Sequence, residues 1–143
     1  MNQRRRVIKI VAIILVVLVV ANVGPWLLQT NPPVQREPQW DSPQTRALAQ
    51  RACFDCHSNE TTWPTYARIA PISWLVTFDV LNGRRHLNFS EWGTRRSEGA
   101  NEVARQIQRG SMPPANYLAQ HPEANLSADE KQQLIQGLQA SLK

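Results

Sequence analysis

"RACFDCHSNETTWP", residues 51–64, holds both cysteines of the chain and one of its three histidines. Cys53 and Cys56 are separated by two residues, and His57 follows at once. Several chemistries use such a cluster. A structural zinc site needs four ligands, hence a second cysteine pair or a close histidine pair. His86 and His121 lie far apart and alone, so no such pair exists. A thioredoxin-like dithiol opens a helix inside a βαβ pattern, and no run of β-branched strand residues flanks this segment. A structural disulfide across so short a loop gains little chain entropy and leaves His57 without a role.

Covalent haem attachment uses all three side chains. In Cys-x-x-Cys-His the two thiols add to the haem vinyl groups and the adjacent imidazole reaches the iron from the proximal side. One helical turn brings both sulfurs to one edge of a porphyrin while the imidazole points to its centre. The spacing therefore predicts one covalently attached haem c on Cys53 and Cys56, with His57 as iron ligand. A disulfide or a free dithiol is the alternative reading of the same residues.

Working outward toward the N-terminus, "MNQRRRVIKIVAIILVVLVVANVGPWLLQ" opens with a basic cluster and is apolar from Val7 to Leu28, with Lys9 as its one charge. Twenty-two residues in a helix reach about 33 Å, enough for a hydrocarbon core of about 30 Å. A secretory signal has the same basic start but a shorter apolar stretch and a small-x-small cleavage site. Val23 spoils such a site in "VVANVGPW". The expectation is an uncleaved single-pass anchor in the cytoplasmic membrane. Arg4, Arg5 and Arg6 stay inside, and the rest of the chain lies in the periplasm or outside. The anchor takes four of the sixteen basic residues, leaving twelve against eleven acidic ones. The basic balance thus reports topology and gives no support to nucleic-acid binding. The expected organisation is an anchor over residues 1–28, a proline-rich linker over 29–41 and a haem-binding domain over 42–143. The linker is read as an extended spacer.

The exported part reads as all-α. Ser42 and Pro43 form an N-cap with proline at the first helical position, and Leu48, Ala49 and Ala52 follow on one face. "PISWLVTFDVLNGRRHL" predicts a helix ending near Gly83. Ala100, Val103, Ala104 and Ile107 form a helical stripe that stops at Gly110. Ser127 and Glu130 make a capping box before Leu134, Ile135, Leu138 and Leu142. No segment alternates as a strand. A domain of about 100 residues gains from the apolar area a haem would bury.

His57 supplies one axial ligand, so a second is sought. Met112 in "RGSMPPANY" follows a helix stop and precedes two prolines that stiffen its loop, and a thioether suits haem iron. A methionine plugging the core is the plain alternative. His86 in "GRRHLNFSEW" is the rival ligand, whereas His121 reads as a surface turn residue. Trp63, Tyr66, Trp74 and Trp92 are candidates either for lining a macrocycle or for an ordinary core. Arg68, Arg84 and Arg85 are candidate partners of the propionates, against the plain reading of a solvated basic face. Asn59-Glu60-Thr61 and Asn88-Phe89-Ser90 match the glycosylation pattern.

Three blocks, "CFDCHSNETTWPTYARIAPISWL", "GRRHLNFSEW" and "GSMPPANYLAQHPEANLSADEKQQL", carry a resemblance that spans Trp40 to Leu142. The chain resembles the bacterial haem-binding domain family, small membrane-anchored proteins similar to c-type cytochromes. The resemblance implies a small cytochrome c-like helical domain behind a single transmembrane helix. It also implies covalent haem on Cys53 and Cys56, ligation by His57, and Met112 as distal ligand with His86 as the alternative. Thr65 departs from the family pattern where a second aromatic would stand. The function expected is one-electron transfer by a mono-haem cytochrome rather than catalysis. Its expected partners are membrane-bound or periplasmic redox proteins and the cytochrome c maturation machinery. The alternative is a haem-based small-molecule sensor or peroxidase-like protein whose distal ligand leaves.

Overall fold

A computed structural model of the chain describes residues 2–94 and 98–142. Its elements are helical, and among the described residues no strand forms beyond an isolated bridge between Arg36 and Glu91. The all-α expectation holds. The chain divides into two compact units, Met1–Thr30 with Trp63–Asp79, and Asn31–Thr62 with Val80–Lys143.

In the first unit, helix α1 (Asn2–Leu28) is long and apolar enough to cross a membrane, with a mean hydropathy of 2.8 over an 18-residue stretch within Gln3–Leu28. Its side chains from Val7 to Val20 are exposed, as a lipid-facing helix requires. A 3₁₀ turn (Thr65–Arg68) and the start of a later helix complete this unit.

The second unit holds the core and the Cys-x-x-Cys-His segment. Helix α2 (Pro43–Ala52) begins where Ser42 Oγ accepts the Thr45 amide at 3.2 Å, so the predicted cap is in place. One further turn, α3 (Phe54–His57), carries the motif. Helix α4 (Ile72–His86) contributes its residues from Val80 onward. It does not end at Gly83 as its sequence predicts but runs three residues further. Helix α5 (Ala100–Gln108) stops before Gly110, whose φ of 70° only glycine adopts readily. A short helix α6 (Ala115–Leu118) precedes helix α7 (Ala128–Ser141), where both bonds of the Ser127–Glu130 capping box form. Ala49, Phe54, Phe89, Val103, Ile107, Leu134 and Leu138 lie among the core residues these helices bury.

Residues 31–41 behave otherwise than as a spacer. Trp40 packs against Phe54 and Phe89, with ring centroids 6.2 and 5.2 Å away. The Gln35 and Arg36 amides donate to the Ser90 carbonyl, and the Trp92 amide donates to Arg36. Glu37 accepts two bonds from Arg46, at 2.7 and 2.8 Å, and a third from the Trp40 indole at 2.6 Å. The Asp41 amide donates to Ser141 Oγ at 3.0 Å. The prolines keep this segment out of a helix, and its aromatic and charged side chains then bind it to the domain.

Candidate functional site

The motif turn is built by backbone bonds that return to Cys53. The amides of Cys56 and His57 both donate to the Cys53 carbonyl, at 3.2 and 2.9 Å. Both cysteines and His57 therefore lie on one helical turn. No disulfide joins the thiols, which are both half-buried. Burial, with the neighbouring Cys56 adding to it, pushes the Cys53 thiol up to about 12, so it stays protonated near neutrality.

Helix α4 and the residues after it fix the imidazole. His57 Nδ1 lies 3.0 Å from the Gly83 carbonyl and 3.1 Å from that of Leu87. Carbonyl oxygens only accept, so Nδ1 carries the proton and Nε2 carries a lone pair. Burial lowers the His57 pKa, outweighing the two carbonyl bonds that raise it, and so favours the neutral ring. A neutral imidazole with a fixed Nδ1–H is the form that ligates a metal. This also explains why α4 runs through Gly83. A Cβ there would overlap the Cys56 carbonyl oxygen and crowd its Cβ, so glycine serves close approach rather than termination.

A buried polar frame surrounds the turn. Arg84 donates from Nε to Ser58 O at 2.7 Å and from its terminal nitrogen to Thr61 Oγ1 and Asn31 Oδ1, at 2.9 and 3.0 Å. Asn88 donates to Asn59 Oδ1 at 2.9 Å, and the Asn59 amide donates to Ser90 Oγ at 2.9 Å. The Phe89 amide donates to the His57 carbonyl at 2.8 Å. Both glycosylation-like asparagines are thus buried parts of this frame. Asp55, inside the motif, accepts from the Tyr117 hydroxyl at 2.8 Å and from the Thr62 amide at 2.9 Å. Burial, then the bond to Asp55, raises the Tyr117 pKa far above that of an ordinary phenol. Tyr117 also stacks on His121, centroids 4.2 Å apart.

Sequence reasoning did not single out Asp55, Asn59, Asn88 or Tyr117 as site residues. The "HLNFSEW" block was the visible trace of Asn88 alone, and an asparagine between Leu87 and Phe89 looks like a turn former until its partner at Asn59 is known. Met112 lies in the loop after α5, where Gln106 O accepts the amides of Ser111 and Met112, and its side chain is 40% exposed. His86 is a surface residue, 67% exposed, with Nδ1 3.1 Å from Glu98. Among the candidate arginines, Arg84 is committed to the frame, while Arg68 and Arg85 are exposed. Of the candidate aromatics, Trp92 packs against the second unit's core, whereas Trp63, Tyr66 and Trp74 belong to the first unit.

The turn thus presents two thiols and an imidazole lone pair, the donor set that thioether attachment and axial ligation of a haem require. The family model described as "Haem-binding domain" matches residues 11–140. No curated protein and no solved structure matches the chain.

Proposed function

Since the chain belongs to the haem-binding domain family, we propose that it is a membrane-anchored, mono-haem c-type cytochrome that transfers single electrons on the outer side of the cytoplasmic membrane. The observation that carries this reading is the His57 ring, whose Nδ1–H faces two carbonyls and whose Nε2 therefore holds a lone pair. When bound, the haem supplies the one-electron couple. Cys53 and Cys56 would hold it by two thioether bonds, each adding S–H across a vinyl group, and His57 and Met112 would ligate its iron. The Gly83 and Leu87 carbonyls polarise the His57 Nδ1–H, which makes Nε2 a better donor.

The cytochrome c maturation machinery is the proposed agent of attachment at Cys53 and Cys56. Membrane-bound or periplasmic redox proteins are the proposed electron partners.

The 40% exposure of Met112 favours a second reading, in which this ligand leaves and the protein works as a sensor or peroxidase-like enzyme. The test is a spectroelectrochemical titration of the protein expressed with maturation machinery, followed by carbon monoxide addition to the reduced form. The electron-carrier reading expects a single one-electron wave and no carbon monoxide complex. Ready formation of that complex would favour the sensor reading instead.

A further inference from the structure

The first unit carries an apolar surface that α1 alone does not account for. The segment after the 3₁₀ turn exposes five large apolar side chains, Ile69 at 67%, Ile72 at 48%, Trp74 at 44%, Leu75 at 56% and Phe78 at 65%. Ile72, Leu75 and Phe78 recur at three-residue spacing on one face of α4, opposite the buried Ser73 and Thr77. An apolar group of this size on a small unit marks an interaction surface.

Where this segment attaches identifies its partner. The Trp74 indole donates to the Ala21 carbonyl at 2.8 Å, and the Ala70 amide donates to Asn22 Oδ1 at 3.1 Å. A Cβ on Gly24 would lie 2.8 Å from the Trp74 ring, so that ring rests directly on the α1 backbone. Gln29 donates to the Ala67 carbonyl and to Thr77 Oγ1, at 2.6 and 3.0 Å. Residues 67–77 are therefore fastened along Ala21–Gln29.

Membrane depth follows from arithmetic on α1. Had the bilayer ended where these contacts begin, the apolar span would be Val7–Val20. Fourteen residues reach only about 21 Å, well short of a hydrocarbon core of about 30 Å. The run through Leu28 reaches about 33 Å and fits. A membrane crossed by α1 thus reaches the level at which residues 67–77 are fastened, and whatever faces outward there meets lipid. Between Ile69 and Phe78 the exposed side chains are all apolar or aromatic, Ile69, Pro71, Ile72, Trp74, Leu75 and Phe78, with the exposed charges Arg68 and Asp79 at the two ends. Asn22 also donates to Leu18 O and the Trp74 indole is bonded, while the Ser73 hydroxyl is buried without a hydrogen-bond partner.

Resting on the reading of α1 as a membrane span, we propose that Ile69–Phe78 is a second membrane element. It lies in the boundary between headgroups and acyl chains with Ile69, Ile72, Leu75 and Phe78 inserted. Amphipathic helices bind membranes in this way, with aromatic residues such as Trp26 and Trp74 at the interface.

The test places the photocrosslinker p-benzoylphenylalanine singly at Leu75, Phe78, Val17 or Gln133 of the full-length protein. The protein is held in nanodiscs of phosphatidylethanolamine and phosphatidylglycerol, and adducts are read by mass spectrometry. Val17 lies within α1, and Gln133 is an exposed residue of α7. The proposal expects lipid adducts at Leu75 and Phe78 in yields comparable with Val17 and well above Gln133. Lipid adducts at Val17 but not at Leu75 or Phe78 would overturn the proposal and leave the anchor intact. Adducts from Leu75 and Phe78 to protein would make the face a protein-docking surface and equally overturn it. Absence of lipid adducts at Val17 would remove the anchor reading and this proposal together.

Discussion

Met112 and His86 differ in what their surroundings leave them to do. The His86 imidazole faces Glu98 on the surface, an arrangement that needs no metal to explain it. Met112 sits in a loop whose start is tied to α5 by the Gln106 carbonyl, with its thioether partly exposed. Met112→Ala should therefore lower the reduction potential or admit exogenous ligands. His86→Ala should leave the iron spectrum unchanged; a shift to high spin in that variant alone would move the distal assignment to His86. Tyr117 makes a different kind of contribution. Its hydroxyl reaches Asp55 inside the motif turn, and loss of a half-buried hydrogen bond to a carboxylate costs about 1–3 kcal/mol. Urea denaturation of Tyr117→Phe should show that loss, and an unchanged midpoint would mean the bond contributes nothing to holding the turn.

Helix α4 is the element on which the site depends, because its Gly83 carbonyl meets the His57 ring while its Gly83 Cα meets Cys56. Gly83→Ala would force the helix away from the turn at a cost of about 1–3 kcal/mol. It should also reduce the fraction of chain carrying haem, measured as the ratio of haem to protein absorbance. Full haem content in that variant would contradict the close-approach account. How much of this was legible in the sequence depended on how local the cause was. The Ser42 cap, the Ser127–Glu130 box and the stop at Gly110 are local bonds between near neighbours, and each formed as read. The role of Gly83 was misread as a helix end because its reason is Cys56, 27 positions away in the chain and invisible to periodicity. Arg84 read as a propionate partner or a solvated cation for the same cause: only its partners at Ser58, Thr61 and Asn31 make burying a guanidinium tolerable. Residues 31–41 read as a spacer because prolines mark the absence of a helix and say nothing of packing.

Across the molecule, stability is shared between a modest helical core and the strap of residues 31–41 that closes over Phe54 and Phe89. Hydrogen bonding from Arg46, with a further bond from Trp40, holds the Glu37 carboxyl below its ordinary value of 4.5 despite partial burial. The folded chain thus keeps this carboxylate charged where the unfolded chain protonates it. The resulting stabilisation is complete above about pH 4.5 and is lost as the pH falls through the depressed folded-state value. Glu37→Gln should cost about 1 kcal/mol at neutral pH and less near pH 3, so the two denaturation midpoints should converge on acidification. A gap that persists at low pH would assign the strap's stability to Trp40 packing alone. At the same scale, the account stands on one claim, that a single haem is bonded to the chain through Cys53 and Cys56. The most direct measurement is a haem stain of a denaturing gel, run on the full-length protein produced with maturation machinery beside a Cys53→Ala/Cys56→Ala variant. The account predicts a stained band at the 16.2 kDa of the chain, plus the small mass of the haem, and no stain in the variant despite equal protein. An unstained wild-type band, or a stain that survives loss of both thiols, would contradict it.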